Sequence, residues 1–184
     1  MRWGHFVSSG LFADGAAAAV LGRASRQGGG SGARVDARVD AQMILHNTYS
    51  TLIDDTENVM GFKLTDLGLQ VWLSQDIPHL IRSLMPQNFE DACSSWGILQ
   101  SELKHFAMHP GGAKILEALE EVLGLKNGDL IHSRAVLRDC GNMSGPTVLF
   151  VLKHLLESRP AAGKGILSAM GPGFSIEHVL FEVL

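Results

Sequence analysis

The chain has 184 residues, 46% of them apolar and 18% charged, which is enough to bury the core of one domain. A formal charge of −4, with no cluster of Lys or Arg, leaves no basic footprint for nucleic acid. Cys93 and Cys140 show no CxxC spacing and build no disulfide framework, so a reducing, cytoplasmic setting is expected, and no apolar run reaches the roughly 18 residues of a membrane span.

The first segment, "FVSSGLFADGAAAAVLGRA", imitates a secretory signal, but Asp14 and three glycines interrupt its apolar region, and it is read as mature chain. Within it "AAAAVLG" reads as a strand. Residues 22–40 are rich in glycine and arginine and poor in large apolar side chains, which predicts a mobile exposed loop. "QMILHNTYSTLI" reads as a strand, and "GFKLTD" and "LGLQVWLS" as a pair of strands. Asp76 to Met85 reads as a helix with Pro78 in its first turn, and "FEDACSSWGILQSEL" as helix and loop. His105 to Met108 is short, apolar and unbroken, which suits a buried strand. Ile115, Leu116, Leu119, Val122 and Leu123 then repeat at helical spacing over 113–124. "LIHSRAVLRDCGN" supplies a shorter helix. In "SGPTVLFVLKHLLESR" Ser144 takes the cap position and Pro146 the first turn of a helix with a broad apolar face. Two strands around the Gly171-Pro172-Gly173 turn close the chain, giving an α/β pattern in mixed order.

His109 thus stands where a strand ends and a helix begins, the edge of an α/β sheet at which ligands bind. Gly111 and Gly112 carry no Cβ, so a ligand can come close, and the first N–H groups of the next helix add partial positive charge. Taken alone, His-Pro-Gly-Gly reads first as a plain strand-to-helix turn with a surface histidine, and a site needs a partner for His109. Asn142, after Gly141 and before a buried helix, reads either as a turn residue or as a second neutral donor. An imidazole and a carboxamide converging on one point suit a thioester oxygen that becomes an enolate or tetrahedral oxyanion.

"LFADGAAAAVLG", "HFAMHPGGAKILEALEEVLGL", "LRDCGNMSGPTVLFVLKHL" and "MGPGFSIEHVLFEVL", in this order and spacing, resemble the C-terminal half of a type III polyketide synthase, the chalcone and stilbene synthase family. Ketoacyl synthases share the Gly-Asn-x-Ser element but differ where this chain has Pro110-Gly111-Gly112. The resemblance implies one half of the αβαβα sandwich of a thiolase-like fold, commonly a homodimer in the complete enzyme. It implies an acyltransferase that condenses a starter acyl-CoA with malonyl-CoA, with CoA thioesters as substrates and neither a metal nor another cofactor assigned. His109 and Asn142 match the catalytic pair that holds the thioester oxygen, and His109 would also keep a cysteine as thiolate. Gly111 and Gly112 match the passage of the pantetheine arm. Ser144 and Gly171, Pro172 and Gly173 match cavity walls, and Val71 falls at the position of a gating phenylalanine, leaving the starter unit open. The family's nucleophilic cysteine lies upstream of the "LFADG" element, and neither Cys93 nor Cys140 matches it. The expectation is half a catalytic site on a fragment, to be completed by an N-terminal half. A natural split subunit and a non-catalytic thiolase-like interaction module remain open.

Overall fold

A computed structural model describes residues 10–22, 24–25, 34–35, 41–66 and 68–184. Its centre is a four-stranded sheet in the order β3-β8-β7-β6, formed by β3 (Met43–Leu52), β6 (His105–Met108), β7 (Gly163–Gly171) and β8 (Ser175–Val183). β3 and β7 run antiparallel to β8, while β6 runs parallel to β7. Two small antiparallel pairs stand apart from it. β1 (Ala24–Ser25) pairs with β2 (Arg34–Val35), and β4 (Met60–Thr65) with β5 (Gly68–Leu73).

Period-two alternation divides the central strands between two cores. Phe106, Met108, Ile166, Ile176 and Leu180 face one side, where they meet α1 (Ile77–Ser95) and α2 (Ala113–Leu123). Ala107, Leu167, Phe181 and Val183 face the other, with Val136 of α3 (Ile131–Cys140) and Val151 and Leu155 of α4 (Pro146–Glu157). The result is helix, sheet, helix, the expected half-sandwich. α1 presents Ile77, Ile81, Met85, Phe89, Ala92 and Cys93 as one buried stripe at helical spacing. α2 stops at Gly124, whose left-handed backbone (φ 61°) lets its N–H close on the Glu120 carbonyl.

The expected strand pairs, the 113–124 helix and the closing hairpin are all found. Three expectations need correction. "AAAAVLG" is not a strand: 14–22 are exposed, and among the described residues no strand lies alongside to supply the ladder that extended backbone needs. The 76–85 helix runs on as far as Ser95, because Pro86 removes one backbone donor while the apolar stripe continues past it. Ser144 does not cap α4. It is exposed at φ 63°, Gly145 holds the cap position, and no side-chain oxygen caps the helix. The glycine- and arginine-rich loop expected at 22–40 lies outside the described residues apart from Gly22, β1 and β2.

Candidate functional site

β6 delivers His109 to the edge of the sheet. The His109 N–H donates to the Ser168 carbonyl at 2.8 Å, extending the β6–β7 ladder by one residue. On the other side of β6 the Met108 carbonyl accepts the Ser133 hydroxyl at 2.7 Å, so a fully buried side chain of α3 fixes the strand end. The chain then turns tightly: the Gly111 N–H donates to the His109 carbonyl at 3.0 Å, and α2 begins with Gly112 at its cap. Among the described residues no side chain caps α2, which leaves its first N–H groups and their partial positive charge uncovered by them.

The glycines of this turn are not demanded by the fold. A Cβ on Gly111 would meet Ile115 at 3.5 Å and one on Gly112 would meet Leu11 at 3.9 Å, both ordinary contacts. Gly112 has φ 166°, extended backbone open to any residue. Gly141 is the opposite case, with φ 74° and a Cβ position 3.2 Å from both the Leu11 carbonyl and Ala13.

Asn142, 5% exposed, links the two motifs. Its Nδ2 donates to the Gly111 carbonyl at 3.3 Å, and its Oδ1 accepts the Ser144 N–H at 2.8 Å. Both contacts fix the carboxamide the same way round, since a carbonyl needs a donor and an N–H needs an acceptor. The second N–H of Nδ2 has no partner among the described residues. The Asn142 backbone is held as firmly, donating to the Leu11 carbonyl and accepting the Ala13 N–H, each at 2.9 Å. Thr147 completes the loop by accepting the Met143 N–H at 2.8 Å.

Burial pushes the His109 imidazole down to about 4, so it is neutral near pH 7 and offers a neutral N–H. An imidazolium at this position would need a counter-charge from another segment. Cys93 is no such group: it is buried in α1, and burial, with Glu102 second, pushes its thiol up and away from the thiolate. Cys140 is half-buried at the end of α3.

The Asn142 carboxamide therefore ties the His109–Gly112 turn, through the Gly111 carbonyl, to the loop that carries Ser144. Gly171, Pro172 and Gly173 follow β7 beyond Ser168, at the same end of the sheet as His109. There the Gly173 carbonyl accepts the Thr56 hydroxyl at 2.8 Å. Val71 is not brought into this network. It lies 40% exposed on β5, opposite Phe62 of β4. Ser133, Thr147 and the Leu11–Ala13 backbone were not identified from the sequence. A serine inside a helix gives no local sign of the strand end it will reach, and only the "LFADG" resemblance marked residues 11–15.

Residues 44–184 match the family model for chalcone and stilbene synthases, C-terminal domain. The chain is 33% identical over 183 residues to a Bacillus subtilis (strain 168) protein named after chalcone synthase, covering 97% of this chain and 48% of that protein. It is 33% identical over 182 residues to the 1,3,6,8-tetrahydroxynaphthalene synthase of Streptomyces peucetius subsp. caesius, covering 97% of this chain and 45% of that enzyme. The chain thus spans about half the length of the curated relatives it matches. The crystal structure of PKS-I from the brown alga Ectocarpus siliculosus superposes with a TM-score of 0.72 at 23% identity, over 77% of this chain and 40% of that one, and shows the same fold.

Proposed function

The chain belongs to the type III polyketide synthase family through its chalcone and stilbene synthase C-terminal domain, and on that premise we propose that it contributes the oxyanion-holding half of a decarboxylative Claisen condensation. The substrates are a starter acyl-CoA and malonyl-CoA, and the reaction is acyl transfer. His109 and Asn142 donate to the thioester oxygen as malonyl decarboxylation places negative charge on it. Neutral donors suit this task because they stabilise an oxyanion without a fixed charge that would trap the ground state. Gly111 and Gly112, whose missing Cβ atoms the protein's own packing does not require, pass the pantetheine arm. Ser144 and the Gly171-Pro172-Gly173 turn wall the cavity, and Val71 takes the gating position.

The observation that carries this reading is Asn142, whose carboxamide is tied to the His-Pro-Gly-Gly turn with one N–H uncommitted among the described residues. The nucleophilic cysteine belongs to an N-terminal half that matched relatives have room for. Before acylation its thiolate would supply the counter-charge that raises the His109 pKa from about 4, and once the cysteine is acylated that charge is gone and His109 is left as the neutral donor. The complete enzyme is a homodimer in this reading and the isolated chain releases no product.

The test supplies the N-terminal half in trans or fused ahead of Met1 and measures malonyl-CoA decarboxylation. His109→Ala and Asn142→Ala should each cost about 2.7–4 kcal/mol, roughly a hundred- to thousandfold in rate. The double variant should lose little more, because both donors act on one oxygen. Parental rates in both single variants would reduce His-Pro-Gly-Gly to a turn.

A further inference from the structure

The distal ends of α3 and α4 carry an imidazole pair that the condensation chemistry does not use. His132 and His154 approach with their Nδ1 atoms 2.9 Å apart, ring centroids 5.2 Å apart and planes inclined at 58°. His132 is ten residues before Asn142, about 15 Å along α3 at 1.5 Å per residue, so the pair is separate from the His109 turn. We propose that these two residues form a binding site for a late first-row divalent transition ion, Cu(II) foremost.

Two observations support this assignment. The first is spacing: two nitrogens each about 2.0–2.1 Å from one ion and 2.9 Å from each other subtend about 90° at it. That is the cis angle of a tetragonal or octahedral ion and too narrow for tetrahedral zinc, which places Cu(II) and Ni(II) ahead of Zn(II). In the ion-free pair one Nδ1–H must donate to the other Nδ1. When both protons sit on Nε2, the two Nδ1 lone pairs converge on the ion and no net proton is released. The second is access: a groove of about 180 Å³ between the two helices opens beside His154, where Lys153 and Glu157 pair at 3.6 Å on its wall.

Among the described residues no group of three His, Cys, Asp or Glu is placed to hold an ion, so water fills the remaining positions. A bound ion would clamp the open end of the α3–α4 hairpin, whose connecting loop carries Asn142.

The test titrates Cu(II) alone into the chain at neutral pH and reads the ligand set by electron paramagnetic resonance, which reports coordination in any oligomeric state. One equivalent should bind with hyperfine splitting from two imidazole nitrogens. His132→Ala and His154→Ala should each weaken binding by more than the roughly tenfold that loss of an outer-shell partner costs. His79→Ala, at an exposed position of α1, should leave it unchanged. Ni(II) should follow and Zn(II) bind more weakly. A parental spectrum without two imidazole nitrogens, or undiminished affinity in the His132→Ala/His154→Ala double variant, would overturn the assignment.

Discussion

Acidification should unfold this protein through a histidine remote from the His109 turn. His178 of β8 is 1% exposed, its Nε2 is 2.9 Å from Asn88 Oδ1, and Asn88 Nδ2 in turn donates to the Thr51 hydroxyl at 2.7 Å. Its Nδ1 is buried with no partner among the described residues, and its ring meets Phe89 edge-on. Nε2 must therefore carry the proton donated to Asn88. A second proton on Nδ1 would bring charge into an apolar site, and burial accordingly pushes the group down to about 4. The unfolded chain, at an ordinary 6.5, binds more protons than the folded one between those two values, so stability falls as pH falls. The contribution is complete above about pH 6.5 and gone by about pH 4, and the gap is worth about 3 kcal/mol. His109 is lowered to about 4 by the same cause and adds in the same direction. Urea unfolding followed by tryptophan fluorescence at dilute protein, repeated from neutral pH down to about 4, measures the slope. His178→Phe should lower stability at neutral pH by about 1–3 kcal/mol, because Asn88 loses its donor, yet remove about half of the pH dependence. An unchanged slope in His178→Phe would refute the reasoning.

Gly141→Ala should destabilise by about 1 kcal/mol or more and slow decarboxylation in the reconstituted enzyme, since a side chain at φ 74° is strained and presses on Leu11 and Ala13. Gly111→Ala and Gly112→Ala should leave the melting temperature nearly unchanged but raise KM for malonyl-CoA, and a matching loss of stability would show that the fold itself requires those glycines. The chain alone should associate, because Phe62, Leu64, Leu69 and Trp72 of the β4–β5 hairpin are 60%, 80%, 66% and 51% exposed. Light scattering from a monodisperse monomer with a cooperative thermal transition would count against that expectation.

Legibility in the sequence followed the range of the interaction. The 113–124 helix, the closing hairpin and the strand before His109 rest on local periodicity and turn chemistry, and these were read closely. "AAAAVLG" failed because a strand is a pairing, and nothing within seven residues tells whether a partner strand lies alongside. Ser144 failed for a subtler reason: its residue type suits a cap, but Asn142 Oδ1 already takes the Ser144 N–H and Thr147 takes the Met143 N–H, so side chains on either side replace it. Helix α1 runs past Met85 and through Pro86 because the stripe from Ile77 to Cys93 gains its stability against the sheet, which residues 76–85 alone do not reveal.

The site shows the same division. His109 and Asn142 could be named from residue type and setting, but their union depends on contacts that no spacing encodes. Ser133 fixes the end of β6 from 25 positions downstream, and Asn142 reaches 31 positions back to the Gly111 carbonyl. The Asn142 backbone is gripped from both sides by Leu11 and Ala13, about 130 residues away in a segment whose own strand pattern misled. That segment is therefore ordered by the asparagine loop, at residues 11–13, and not by a sheet. Two of the elements that carry the family resemblance, "LFADG" and "GNMSG", meet there: the first holds the Asn142 backbone, and the Ser144 N–H of the second helps to orient its carboxamide.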